Sequence, residues 1–593
     1  MQIFRANLRR ARFLAASAYH AVIRLRDGQR LSPGLYLERR ATQSPESTAL
    51  RYEDRALTFS ALDEAANRHA HALTALGATK GDVVALLMDN RPEFLVAVLG
   101  ANKIGVCTSL LNSHVAGEQL VHALTICSPK FILVGSEHVA SLREVADRLP
   151  VPREHVLVWS EGDVRATFEG SVDWNSATAE ARTERPASTA EQGMNDPFVF
   201  IYTSGTTGLP KAAPMKNGRF LRGAAVFGHA VMRLRPGDVL FNPGLPLYHS
   251  TGLVMGFGTV LSTGATLALR RKFSASQFWD DVAAFGATGF TYIGELCRYL
   301  LNTNPHPLEK SHRLRFAIGA GLRPDIWERF QERFGIPTIV EFYGATEGNI
   351  GIVNIDGVPG MMGRLMPGQV IVHADPHTGE ITRDARSRCT SAKVGESGIL
   401  LGQINARASF DGYVDRSRNE AKIVRNAFGD GKDYFNTGDL VQLHPHGYVA
   451  FKDRMGDTFR WKGENVSTSE VAEILNRCLG VSESNVYGVQ VPGADGRAGM
   501  AALVTQDGFD LERFRAHVDE HLPAYARPIF VRLQEAIQVT ATFKQVKTHL
   551  RDEGYDLYKI DRDRVYVYDS TVKSYVELTP ERQTSIDSGA FGL

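Results

Sequence analysis

The sequence predicts an α/β protein with a large N-terminal domain of layered α/β subdomains, followed by a smaller C-terminal α+β domain. Three observations carry this expectation. Short apolar runs such as VVALLMDN (83–90), FILVGS (131–136) and HVLVW (155–159) alternate with stretches of helical period, the pattern of parallel strands covered by helices. At 593 residues the chain is too long for one core. Near its end come three further strand-like runs, NVYGVQV (485–491), AALV (501–504) and PIFVRL (528–533).

Composition narrows the function classes. Sixty-seven basic residues against 66 acidic ones give net charge +1, which argues against a dedicated nucleic-acid binder. The cysteines Cys107, Cys127, Cys297, Cys389 and Cys478 are widely spaced with no CxxC pair. That excludes a cysteine-rich zinc site and disfavours a disulfide framework. A reducing interior compartment fits this.

In chain order, the first 30 residues hold seven arginines and one acid, Asp27. The apolar stretch Phe13–Ile23 is 11 residues, short of the roughly 20 needed to span a bilayer. Three readings stay open: a basic helix lying on an anionic membrane surface, a targeting segment, or a solvated, partly packed helix. From Leu35 the chain turns globular. Residues 57–77 read as a helix with Ser60 as its N-cap, and 92–112 as a helix running into a strand. The polar segment Ser160–Asp196 reads as a surface connection. Beyond it, Thr266–Asn302 gives a strand and a helix, and ends in YIGELCRYL and two further residues.

The densest chemical signal is FVFIYTSGTTGLPKAA (198–213). Phe198–Tyr202 reads as a buried strand opening into Thr203, Ser204, Gly205, Thr206, Thr207 and Gly208, then Lys211. Glycines let backbone N–H groups turn toward an anion, hydroxyls donate to it, and a lysine adds charge. No Gly-Lys-Ser/Thr follows, so this is not a Walker A loop. By composition alone it equally reads as a surface loop.

The order of residues resolves this. YTSGTTGLPK resembles, without a mismatch, the signature of the adenylate-forming (AMP-binding) superfamily of acyl-CoA synthetases, luciferases and related ligases. YIGELCRYL (292–300) and the C-terminal tail resemble its fatty acid transport protein and very-long-chain acyl-CoA synthetase branch. The resemblance implies a basic segment 1–34, a large adenylation domain 35–454, and a small, mobile C-terminal domain 455–593 carrying an adenylation lysine. It also implies ATP, Mg²⁺ and coenzyme A, a fatty acid substrate, and a cytoplasmic location, peripheral at the inner face of a membrane if residues 1–30 touch one.

The same resemblance assigns site residues. In PLYH, His249, which reads as buried, lies beside the adenylate and the acyl pocket, with Tyr292 and Gly294 near that pocket. Gly319, in RFAIGAGL, lays backbone against adenine. In EFYGATEGN, Tyr343 and Gly344 serve adenine, Thr346 the α-phosphate, and Glu347 is a hard oxygen ligand suited to Mg²⁺. Asp439, read as ending a strand, binds both ribose hydroxyls with Arg454 as second contact. Gly456 is the hinge and Lys544 the adenylation lysine. Asn465 stands where many members carry arginine, so no arginine contact to the triphosphate is carried over. Competing functions are an uptake protein acting by metabolic trapping, a ligase passing acyl-adenylate to a carrier protein, and a ligase for aryl or bile-type acids.

Overall fold

The computed structural model describes residues 2–26, 28–162, 166–203, 209–375, 380–405, 408–454, 457–462, 464–494, 496–540 and 545–591. The chain divides into two compact units. One holds residues 1–322, 326–359 and 409–421; the other holds 323–325, 360–408 and 422–593.

Two largely parallel sheets build the first unit. In the seven-stranded sheet the order is Val172–Asp173, Val156–Trp159, Phe131–Gly135, Val83–Leu87, Cys107–Leu110, Pro197–Thr203 and Lys211–Lys216. Only its last pair is antiparallel. The eight-stranded sheet runs Gly351–Asn354, Ile339–Gly344, Phe316–Ala320, Gly289–Ile293, Val239–Asn242, Thr266–Leu269, Thr48–Tyr52 and Arg55–Thr58. Its interior is parallel and only its two edge strands reverse. The near-continuous burial of runs such as Phe131–Gly135 fits strands covered on both faces.

Helices Pro33–Gln43, Phe59–Ala75 and Pro92–Lys103 pack together through one buried lysine. Lys103 Nζ donates to Glu38 at 2.8 Å, to Asp63 at 2.6 Å and to Asn67 at 2.6 Å. Its side chain has no solvent exposure, so the two carboxylates and the amide replace its hydration.

The second unit is mostly antiparallel. One sheet orders Gly363–Arg364, Tyr448–Arg454, Tyr434–Leu443, Ser397–Gln403 and Gln369–Val372, with Ile423–Val424 beside Tyr434–Leu443. Another orders Val481–Gln490, Arg497–Thr505, Phe530–Gln534, Arg564–Asp569 and Ser574–Glu577 around its own apolar core. The expected α/β architecture with a smaller C-terminal α+β part is present.

Four local expectations need correction. The helix Phe59–Ala75 is capped by Thr58, whose hydroxyl accepts from the Ala61 N–H, and not by Ser60. Ser160–Asp196 is more than a surface connection: it contributes an edge strand and the helix Trp174–Glu180. Trp174 is fully buried and donates its indole N–H to His69 Nδ1 at 3.0 Å. Burial holds His69 down to about 3, so it is the neutral acceptor the indole needs. Asp439 lies inside the strand Tyr434–Leu443, not at its end. Gly438, at φ +75°, bends the strand there while pairing continues on both sides. His249, expected to be buried, is half-buried.

Candidate active site

In the first unit the described candidates lie at or just beyond the carboxyl ends of parallel strands, where open α/β sheets hold their ligands, except Lys211, which opens the antiparallel strand paired with Thr203. Thr203 ends Pro197–Thr203, and His249 lies seven residues beyond Val239–Asn242. Tyr292 and Gly294 straddle the end of Gly289–Ile293. Gly319 is near the end of Phe316–Ala320, and Tyr343, Gly344, Thr346 and Glu347 finish or follow Ile339–Gly344.

Thr203 pairs across the sheet with Lys211, so one antiparallel rung fixes both ends of the predicted phosphate loop. Ser204, Gly205, Thr206, Thr207 and Gly208 lie outside the described residues, as do Gly456 and Lys544. Beside this rung sits Tyr413. Its ring lies under Lys211, with Nζ 5.5 Å from the ring centre, and its hydroxyl donates to Glu347 Oε1 at 2.5 Å. Burial and the Glu347 carboxylate push the phenol's pKa up, while the Thr203 side chain pulls it down. The phenol therefore stays protonated and donating at neutral pH. Val414 N–H bonds to Ala212 O at 2.9 Å, which ties this segment to the Lys211 strand.

The turn carrying Thr346 and Glu347 is anchored on its other flank by Arg219. That guanidinium donates to Ala345 O at 3.0 Å and Gly348 O at 2.7 Å. Thr346 and Glu347 are half-buried and Gly344 is exposed. Glu347 presents carboxylate oxygens at a partly open surface, a donor set that fits Mg²⁺.

Tyr292 and Gly319 serve packing in a way the sequence did not disclose. Tyr292 is fully buried, and its hydroxyl donates to Glu341 Oε1 at 2.5 Å. Glu341 also accepts the Gly321 N–H at 2.8 Å and the Leu322 N–H at 3.0 Å. One carboxylate thus clasps the ends of three adjacent strands. A Cβ at Gly319 would lie 2.2 Å from Tyr292 O, and one at Gly294 would overlap Gly321 O at 1.7 Å. Both glycines are therefore demanded by backbone approach. Among the described residues no cation offsets Glu341, and burial raises its pKa to about 7 against the bonds from Tyr292, Leu322 and Gly321.

The loop after Val239–Asn242 is held by two asparagines. Asn242 Oδ1 accepts the Leu245 N–H at 2.7 Å, and Asn90 Oδ1 accepts the Leu247 N–H at 2.8 Å. His249 follows, ring against Tyr248 at 4.8 Å. In the second unit, Asp439 pairs with Arg454 on one antiparallel rung, and the Asp439 N–H bonds to Thr437 Oγ1 at 3.0 Å.

Sequence reasoning missed Tyr413, Arg219 and Glu341. Glu341 had a usable signal, since a lone carboxylate inside the apolar run IVEFY must find partners when buried. Tyr413 and Arg219 had none.

Comparison with known proteins identifies the family. The AMP-binding enzyme profile matches residues 37–398. The chain belongs to the AMP-binding enzyme family. The profile of the AMP-binding enzyme C-terminal domain matches residues 470–544. This AMP-binding enzyme is 40% identical over 568 residues to the Medium/long-chain-fatty-acid--CoA ligase FadD6 of Mycobacterium tuberculosis, covering 95% of this chain and 92% of that protein. It is 42% identical over 548 residues to Long-chain fatty acid transport protein 1 of Homo sapiens, covering 90% and 84%. Among solved structures, it is similar to the anthranilate CoA ligase AuaEII in complex with anthranoyl-AMP. There the TM-score is 0.76 at 24% identity, over 89% of this chain and 98% of that one, a likeness of fold. Among the described residues, no helix is long and apolar enough to cross a membrane.

Proposed function

We propose that this AMP-binding enzyme is a long- or very-long-chain fatty acid–CoA ligase. It activates a fatty acid with ATP to acyl-AMP and pyrophosphate, then forms acyl-CoA. The gathering of Thr203, Tyr343, Thr346 and Glu347 at the carboxyl ends of parallel strands, with Lys211 paired to Thr203 across the sheet, supports the reading. The names of its relatives supply the substrate class.

In the first half-reaction a carboxylate oxygen attacks the α-phosphorus, and the bond to pyrophosphate breaks. Anionic groups must approach, so the protein's work is positioning and charge neutralisation. The loop Thr203–Gly208 wraps the β- and γ-phosphates, with Lys211 and Lys544 as fixed cations. Tyr343, Gly344 and Gly319 receive adenine, Thr346 bonds the α-phosphate, and Asp439 with Arg454 holds the ribose. Glu347 is the residue that would hold Mg²⁺, which when bound supplies positive charge to the triphosphate. His249, Tyr292 and Gly294 border the acyl chain, Tyr292 through the backbone and packing it fixes.

In the second half-reaction a thiol sulfur attacks the acyl carbon, AMP leaves, and the thiol proton passes to solvent or to AMP. A thiol is nucleophilic enough to need little base catalysis. The large domain ends at Arg454, and Gly456 is the pivot on which residues 455–593 turn between the two steps. Residues 1–30 make a peripheral contact at the inner face of a membrane.

A second reading, fatty acid uptake, draws support from the name of the human relative; trapping the acid as its thioester would drive it. Pyrophosphate release across acids of increasing chain length, with and without coenzyme A, tests the function. Release only with aryl acids, or no thioester with free coenzyme A, overturns it.

A further inference from the structure

The basic residues of the N-terminal segment are joined in the fold by basic residues from elsewhere in the chain. Arg12 and His20 line one cavity of about 430 Å³ together with His229, Arg233 and Arg235. Arg24, Arg30, Arg39 and Arg40 line a second, also about 430 Å³. The two basins adjoin, because Arg24 acts electrostatically on His20 and His229 in the first and on Arg40 in the second.

Little offsets this charge. Among the described residues, Arg12, Arg24, Arg30, Arg39, Arg233 and Arg235 form no ion pair with a carboxylate. Arg40 is occupied, but by the backbone oxygens of Leu261 and Ser262, which leave its charge uncompensated. His20 and His229 stack at 4.4 Å with ring planes 4° apart. Burial and Arg24 hold His20 below its ordinary value; burial, His20 and Arg24 bring His229 down to about 4. The pair is neutral at pH 7, so the positive field belongs to the guanidinium groups.

The platform is fixed to the body of the first unit. Phe13 of the helix Gln2–Ala18 is buried. Arg222 donates to Ala21 O at 3.1 Å and Leu25 O at 3.4 Å. On the outer side of the same segment, Tyr19 is 51% and Ile23 56% exposed. A soluble polyanion would satisfy the arginines and leave these two side chains in water. An anionic bilayer satisfies both, because guanidinium forks bind phosphate and an aromatic and an aliphatic side chain settle at the headgroup boundary.

We propose that this two-cavity arginine basin is the docking face for an anionic lipid bilayer, receiving headgroup phosphates while Tyr19 and Ile23 enter the interface. The proposal rests on the reading of residues 1–30 as a membrane contact, and extends it to residues outside that segment.

The test uses the full chain and sedimentation with phosphatidylcholine vesicles, alone or mixed equally with phosphatidylglycerol. The variant R39A/R233A/R235A leaves residues 1–30 intact, and a matched unfolding midpoint shows that it folds. Each arginine near a charged surface is worth about fivefold in binding, so the triple variant should bind mixed vesicles about 100-fold more weakly. Added salt should weaken the wild type, and Tyr19→Ser with Ile23→Ser should weaken it at every salt concentration. If deletion of residues 1–30 abolishes binding while the triple variant binds like the wild type, the basin is refuted and the contact through 1–30 stands. If the wild type ignores both vesicles, both readings fall. Tight binding of inorganic pyrophosphate at the basin without vesicle binding would make it a free-phosphate site, which also overturns the proposal.

Discussion

Glu341→Gln tests the clasp between three strand ends. In the wild type Glu341 accepts three hydrogen bonds, yet its pKa is raised from 4.5 to about 7. A raised carboxyl binds a proton more tightly in the folded state, so this contribution is fully present below about pH 4.5. It is lost as pH rises through about 7, and amounts to ~3 kcal/mol in all. The glutamine amide has only one oxygen. If that oxygen serves Leu322 and Tyr292, the NH₂ faces the Gly321 N–H, a donor against a donor, costing about 1–3 kcal/mol at any pH. The variant should therefore be less stable than the wild type near pH 5 and close to it near pH 8, the gap closing by about 2–3 kcal/mol. Urea unfolding followed by tryptophan fluorescence reads this, since Trp159, Trp174, Trp279 and Trp327 share the first unit with Glu341. A gap of the same size at both pH values would show that Glu341 does not titrate in this range, and the reasoning would fail.

Three further outcomes are expected. Lys544→Ala should abolish acyl-adenylate formation but still convert supplied acyl-adenylate and coenzyme A to thioester; equal loss of both half-reactions would remove Lys544 from its role. Glu347→Gln should raise the magnesium concentration needed for half-maximal pyrophosphate release, and an unchanged magnesium titration would take it out of the metal site. Lys103→Met strands Glu38 and Asp63 around an apolar side chain and should cost about 3–5 kcal/mol. Arg185 remains 2.9 Å from Asp63, so the loss should lie toward the lower end; a melting temperature matching the wild type would show that the network is not built around that charge.

Sequence and structure agree best where the code is local. Apolar runs such as FILVG and VVALL became strands that start on the expected residue and stop one and three residues early, and the motif residues of the first unit fell at or next to strand ends. Disagreement came where a choice depends on distant partners. Thr58 and Ser60 are equally good caps on paper, and the turn after Arg55–Thr58 selects Thr58. Ser160–Asp196 looked solvated because its largest apolar anchor, Trp174, finds His69 more than 100 positions earlier in the chain. Tyr292 illustrates the same limit inside the site. Its motif marked it as part of the acyl pocket, and only the register of three parallel strands shows its hydroxyl turned onto Glu341.

The clasp also bears on the order of assembly. Its parts come from residue 292, residues 321–322 and residue 341, and the sheet they close pairs Leu50 with Leu267. A chain leaving the ribosome has more than half its length exposed before Glu341 appears. Until then the Tyr292 hydroxyl and two backbone N–H groups lack the acceptor they use in the folded sheet, and burying them away from water would be costly. Because the carboxylate meets all three donors only when the strands are in register, it works as a proofreading step on a sheet whose distant pairings make it slow to form.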